Sequence, residues 1–269
     1  MKLFAALNLF LGVSRVILDG LRFAFVPTLV DVLRNPLRIF RLSETYMTHL
    51  WAVLSDLVDE NARPMKESII SSHAHGVVLD LGAGYGHTIL YLGRPKVSRY
   101  IALEPNVCMH AKIRGVANKS GFFESDGSLV ILDHRAENLS LIPHFIDGPV
   151  DTLITVLTVC SIPNARRVLT RLVRDIVKPG GQFLFYEHVR NPRDDVAWWQ
   201  KFYNPVWGLF FDGCRLDQPT DKWVEDMKDL DEYGKEICMW SEGNCWTDPN
   251  ASEENLTWHV AGRFVKRFS

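Results

Sequence analysis

Val77-Val78-Leu79-Asp80-Leu81-Gly82-Ala83-Gly84-Tyr85-Gly86 decides the fold of this 269-residue chain. Its first half is a short apolar run of the kind that a parallel sheet buries on both faces. Its second half sets three glycines two apart, which clears side chains from the backbone and permits positive φ where the chain turns. Thr88-Ile89-Leu90-Tyr91-Leu92 then predicts a helix whose free N–H groups would face a ligand. The loop departs from the dinucleotide-binding pattern, which needs a third glycine one position later, where this chain has His87. Asp80 is unfavourable beside a pyrophosphate, because it sets negative charge near negative phosphates. It suits a ligand with a positive amino group.

The next strand agrees. Tyr100-Ile101-Ala102-Leu103 ends at Glu104, eighteen residues after Gly86, where an acid at a strand end can hold ribose hydroxyls. Pro105 stops the strand, and Asn106 is placed to cap the turn that follows. Val130-Ile131-Leu132-Asp133 reads as a third strand, followed by the loop His134-Arg135-Ala136-Glu137-Asn138-Leu139. Val150–Leu157 and Val177–Phe185 read as a fourth and a fifth strand.

In this order the segments resemble the class I S-adenosylmethionine-dependent methyltransferases, over about Val77 to Val189. The resemblance implies an α/β fold with a doubly wound, mostly parallel seven-stranded sheet, and S-adenosyl-L-methionine as cofactor. It assigns Asp80, Gly82, Gly84, Gly86, Glu104 and Asn106 to cofactor binding. Ala136 and Glu137 would meet the adenine edge, and Val156 and Leu157 would lie under the methionine part. Two late strands, Tyr233–Trp240 and Trp258–Val265, are expected to close the sheet, with Ser241–Asn255 as a solvated loop between them.

Composition narrows the rest. A formal net charge of −2 gives no reason to expect nucleic acid as a partner. The five cysteines, Cys108, Cys160, Cys214, Cys238 and Cys245, are odd in number and widely spaced, with no Cys-x-x-Cys. That suits a reducing, intracellular compartment, and no metal-ligand cluster is expected from it.

The chain divides into an N-terminal segment, residues 1–42, and a catalytic domain, residues 43–269. In the first, Leu3, Leu7, Phe10, Ile17, Leu18, Leu21 and Phe25 recur at helical spacing, opposite a strip of Asn8, Gly12, Arg15, Asp19 and Arg22. Charges interrupt the apolar run, so it makes a poor membrane span. A wide apolar face with a basic excess suits a helix lying on a membrane surface, here the cytoplasmic face of an internal membrane. A helix that packs on the domain or forms a dimer contact is the alternative.

The substrate end is read from three segments. Glu187-His188 closes the fifth strand, at the sheet edge where ligands bind. His188 is the candidate general base, with Glu187 or Asp212 as orienting partner. Trp198, Trp199, Phe202, Tyr203 and Trp207 are expected to wall an apolar pocket on a helix that Pro205 kinks. Leu157-Thr158-Val159-Cys160-Ser161-Ile162, Glu187-His188-Val189 and Phe211-Asp212-Gly213-Cys214 are similar to the membrane-associated methyltransferase-like proteins that methylate alkyl thiols. The resemblance implies a small, mostly apolar thiol acceptor. An O- or N-acceptor stays open, as does a binding protein without activity.

Overall fold

The computed structural model describes residues 3–138 and 145–268, the side chains of residues 3–9, 13 and 16 excepted. The expected roles of Leu3, Leu7 and Asn8 and the end of the 134–139 loop lie outside the described residues. Five parallel strands form the body of the sheet: β1 (Gly76–Leu81), β2 (Val97–Leu103), β3 (Leu129–Leu132), β4 (Val150–Val156) and β5 (Val177–His188). Beyond two short strands, β6 (Lys228–Leu230) and β7 (Glu236–Cys238), come β8 (Trp240–Trp246) and β9 (His259–Lys266). The main sheet runs β3-β2-β1-β4-β5-β9-β8, with β9 antiparallel to both neighbours. The strand order reverses between β1 and β4, so the carboxyl ends of these two strands flank the crevice where doubly wound sheets bind ligands.

One apolar cluster fills each side of the sheet. Leu79, Leu81, Leu153, Phe183 and Phe185 pack against α5 (Ala165–Ile176), while Val78, Tyr100, Ile154 and Leu184 pack against Ile69, Ile70 and Ile113. The last of these belongs to α4 (His110–Lys119).

Three expectations change. The segment after the glycine loop makes only one 3-10 turn, His87–Tyr91, and ends before Gly93 and Pro95. The second-last sheet strand is β8, not Tyr233–Trp240, whose Glu236–Cys238 pairs instead with Lys228–Leu230 in a separate hairpin. Residues 241–246 therefore form an edge strand and not a loop. Its polar run misled because residues 241–244 of this edge strand are exposed on both faces. Gly243 sits there because a Cβ would come within 2.2 Å of the Phe264 ring.

The N-terminal region is α1 (Leu3–Gly20), a π-helical turn at Leu21–Phe25 and α2 (Val26–Arg34), continuous in helical backbone. Pro27 lacks an N–H and its ring crowds the preceding turn, which accounts for the widened stretch. Gly20, Ala24 and Thr28 form a buried strip of small residues along this rod. At Gly20, Tyr46 and Leu50 of α3 (Leu42–Lys66) approach closely. Asp31 accepts from His49 at 3.0 Å. The bulky residues Phe10, Leu11, Leu18, Phe25, Leu29 and Leu33 stay exposed. Among the described residues no helix is long and apolar enough to cross a membrane.

Candidate active site

A cavity of about 590 Å³ opens at the carboxyl ends of β1, β2, β4 and β5. It has two ends, built from different parts of the chain.

The first end is the glycine loop and β2. Gly82 has φ +69°, and a Cβ there would strike Thr158 at 2.4 Å, so only glycine lets the β1 loop lie against the β4 turn. The Gly84 amide donates to Glu104 Oε2 at 2.8 Å, and the Asn106 amide donates to Oε1 at 2.9 Å. Each carboxylate oxygen keeps a lone pair for a ligand hydroxyl. Burial pushes Glu104 up to about 7, against the two amides, which favour its charge. Asn106 Oδ1 accepts from the Cys108 amide, and its Nδ2 donates to Glu44 O and Thr48 Oγ1. This amide clamps α3 over the loop. Ala136 and Glu137 line the cavity together with His134 and Arg135.

Asp80 and Gly86 do not line it. Asp80 is 1% exposed beneath the loop and accepts from Tyr100 Oη at 2.6 Å. Burial raises its carboxyl to about 6, while Tyr100, Thr88 and the charge of Lys66 pull the other way. It braces β1 on β2 beneath the cavity floor. Gly86 turns the chain into the 3-10 segment, with φ +83°.

The second end starts at the β4 terminus. Val156 and Leu157 line the cavity, and Leu157 takes a left-handed backbone, φ 54°, rare for a residue with a branched side chain. That turn is held from below: Glu187, fully buried, accepts from the Thr158 amide at 3.0 Å. Burial raises its carboxyl to about 7, opposed by the Thr158 amide and His188. Glu187 is thus a positioning group for the β4 turn and not an orienting partner for His188. Asp212 does not orient His188 either. It lines the cavity rim, exposed, with its Oδ1 taken by the Ser43 hydroxyl.

The only polar partner of the His188 side chain among the described residues is sulfur. Its Nε2 lies 3.2 Å from Cys214 Sγ, and its buried Nδ1 has no hydrogen-bond partner. The ligand atoms of Cys160, His188 and Cys214 all fall within 4.8 Å of one another, each residue buried. Burial alone would depress His188, but Cys160 and then Glu187 hold it above its ordinary value. Trp207 donates its indole N–H to Cys214 Sγ at 3.3 Å. His259 stacks on Tyr186 and meets His188 edge-on at 6.0 Å. Burial and then the nearby His188 lower His259 to about 3, so this imidazole is neutral.

The chain matches the methyltransferase domain family over residues 46–244, most of its length. It belongs to that family. It is 28% identical to human thiol S-methyltransferase TMT1B over 193 residues, 69% of this chain and 75% of that protein. The rat thiol S-methyltransferase TMT1B is 25% identical over 73% of this chain and 83% of that protein. Among solved structures, an O-methyltransferase family protein from Burkholderia thailandensis superimposes with a TM-score of 0.55. It is 14% identical, covering 85% of this chain and 60% of that one, and so shares the fold.

In this methyltransferase the aromatic helix plays a smaller part at the site than its sequence suggests. It is α6 (Asp194–Phe210), unbroken at Pro205. Of the five aromatic residues expected to wall the pocket, only Trp207 lines it. Trp198 and Phe202 face outward, at 57% and 58% exposure, and Trp199 and Tyr203 pack with Leu216 and Leu256. The apolar wall comes from α3 instead, through Met47, Trp51, Leu54 and Val58. Sequence offered no motif for these four. The Cys160–His188–Cys214 group also went unseen, because its members are 28 and 26 residues apart in the chain and only the fold joins them.

Proposed function

We propose that this methyltransferase uses S-adenosyl-L-methionine to methylate the sulfur of a small, largely apolar thiol. The observation that carries the reading is a single cavity joining a glycine-and-carboxylate end to a sulfur-and-imidazole end. Its 590 Å³ lies within the range of about 300–1,000 Å³ usual for small-molecule sites. The residues suit the cofactor. Glu104 offers two acceptor oxygens for ribose hydroxyls, Ala136 and Glu137 line the same cavity where an adenine edge would meet them, and the loop at Gly82 and Gly84 admits backbone approach. Neutral His259 and the ring of Tyr186 add no positive charge of their own beside a sulfonium.

When bound, the cofactor supplies a methyl group already activated on a cationic sulfur. The protein's own task is to hold the acceptor in line and keep water out. Met47, Trp51, Leu54 and Val58 offer the acceptor an apolar wall, and Trp207 closes the second end. Among the described residues His188 has no carboxylate hydrogen-bond partner to set its tautomer, so we assign acceptor activation to the Cys160–His188–Cys214 group as a unit. The thiol S-methyltransferase names of the relatives favour sulfur over oxygen or nitrogen. Radiolabelled S-adenosyl-L-methionine offered with a panel of alkyl thiols, phenols and amines tests this. Label should pass to thiols, and preferential labelling of phenols or amines would overturn the choice of sulfur.

We further propose that residues 1–42 hold the enzyme on a membrane surface without crossing it. The small strip of Gly20, Ala24 and Thr28 is spent on packing, which leaves the bulky apolar side chains and Arg15, Arg22 and Arg34 outward.

A further inference from the structure

We propose that Cys160, His188 and Cys214 bind one zinc ion at the acceptor end of the cavity, with its fourth position open to the acceptor thiolate. The role in activation rests on the thiol reading above; the metal site itself does not.

The three residues come from three separate segments: the turn after β4, the end of β5 and the turn after α6. Of the three, the imidazole is the one whose burial costs free energy, because its Nδ1 has no hydrogen-bond partner. The ligand type matches zinc, which favours thiolate and imidazole and takes four ligands in a tetrahedron. Zn–S bonds of about 2.3 Å and Zn–N bonds of about 2.0 Å put tetrahedral ligand atoms about 3.5–3.8 Å apart. The observed 3.2 Å between His188 Nε2 and Cys214 Sγ, and the 4.8 Å limit on the whole group, need only small adjustments to reach that. Three protein ligands with one position free is the pattern of catalytic zinc, where structural sites use four.

The surroundings fix these ligands. The Arg215 amide donates to Cys160 O at 3.1 Å, tying the segment of Cys214 to that of Cys160, and Gln218 Nε2 reaches the same carbonyl at 3.3 Å. The Trp207 indole N–H on Cys214 Sγ is the kind of supporting hydrogen bond that orients a metal-bound thiolate. Charge also balances. Two thiolates neutralise a divalent ion, so the site presents no net positive charge to a cationic methyl donor.

In the reaction, the acceptor R–S–H releases its proton to solvent as its sulfur takes the open position. A lone pair of that sulfur forms the new S–CH₃ bond while the donor's CH₃–S⁺ bond breaks, its electron pair staying on the donor sulfur. The product is a neutral thioether, a weak ligand that leaves the ion. No electrons are gained or lost overall.

The test uses the full chain, incubated with zinc alone and desalted, then assayed for metal by mass spectrometry. One zinc per chain is expected. Cobalt put in its place should give a thiolate-to-cobalt charge-transfer band with tetrahedral visible absorption. Cys160→Ser and Cys214→Ser should each lose both signals while binding S-adenosylhomocysteine within about twofold of the parent. Should one variant fail to fold, the cobalt spectrum of the parent protein still decides. Absence of retained zinc, a cobalt spectrum without sulfur charge transfer, or unchanged metal content in both variants overturns the site. Full thiol methylation by protein stripped of metal would overturn the activating role. Stoichiometric metal in an enzyme that methylates only phenols or amines would support the site and sink the thiol reading.

Discussion

The Gly84 amide and Glu104 Oε2 are joined by a 2.8 Å hydrogen bond, so the glycine loop and the end of β2 share one buried carboxylate. If Glu104 holds the ribose as proposed, that link should make cofactor affinity depend on pH. Burial holds Glu104 up to about 7, whereas ribose hydroxyls would donate to its ionised form. Below neutrality, binding must first expel a proton. Affinity for S-adenosylhomocysteine should therefore fall as pH drops from about 8 to about 6. In unliganded protein the sign is the reverse, because a carboxyl raised above its unfolded value loses its stabilising contribution as pH rises through about 7. Ligand-induced stabilisation is thus largest above neutrality. Glu104→Gln should weaken binding by about 1–3 kcal/mol and flatten the pH profile. Calorimetric titration across that range checks both, and a profile equally steep in the variant would remove Glu104 from ribose binding.

Gly82 offers a steric test. A Cβ there would lie 2.4 Å from Thr158 and would also demand a left-handed backbone from alanine. Gly82→Ala should push the β1 loop off the β4 turn, lowering stability by about 1–3 kcal/mol, the usual cost of overpacking. Cofactor affinity should fall in the same variant, since both ends of the cavity meet at this contact. Adding Thr158→Ala should restore part of the loss. If thermal melting finds no destabilisation in the single variant, the loop is not wedged as described.

These contacts explain which parts of the molecule were legible in its sequence. The sheet was, because Val77–Leu81, Tyr100–Leu103 and Val150–Val156 carry their burial in local composition. Glu104 was placed by its distance from the loop. That Tyr100, on the neighbouring strand, donates to Asp80 and that this carboxyl lies below the cavity could not be read from its sequence position. β8 was read as loop, because Ser241, Glu242 and Asn244 are polar and residues 241–244 of this edge strand are exposed on both faces. The acceptor wall was missed because Met47, Trp51, Leu54 and Val58 look like the ordinary apolar face of any helix. The Cys160–His188–Cys214 group is non-local, and nothing in spacing alone can show it.

The altered role of α6 separates two tryptophans. Trp207 lines the cavity and donates to Cys214, whereas Trp198 stacks on Phe202 at the surface. Trp207→Phe removes one N–H on sulfur while keeping an aromatic ring. It should lower kcat/KM for a water-soluble thiol by about threefold to thirtyfold, equivalent to about 0.5–2 kcal/mol. Trp198→Ala should leave that value unchanged. Equal loss in both variants would return Trp198 to the acceptor pocket.

The last expectation concerns the outward face of the N-terminal rod. Leu29 and Leu33 lie on α2, Leu33 at 73% exposure, and Phe40, 85% exposed, lies on the 3-10 segment Pro36–Arg41 that follows it, while Gly20, Ala24 and Thr28 are buried on the inner side. Replacing Leu29, Leu33 and Phe40 together by serine should leave the melting temperature within about 2 °C, because surface changes away from packed contacts cost little. Binding to vesicles with anionic lipid should fall sharply, since apolar insertion and basic attraction act together at such surfaces. Raising salt should weaken binding of the parent protein through Arg15, Arg22 and Arg34, each worth about 1 kcal/mol near an anionic surface. The opposite pattern, with intact vesicle binding and a large drop in melting temperature, would show that these side chains serve the fold and that the membrane reading is wrong.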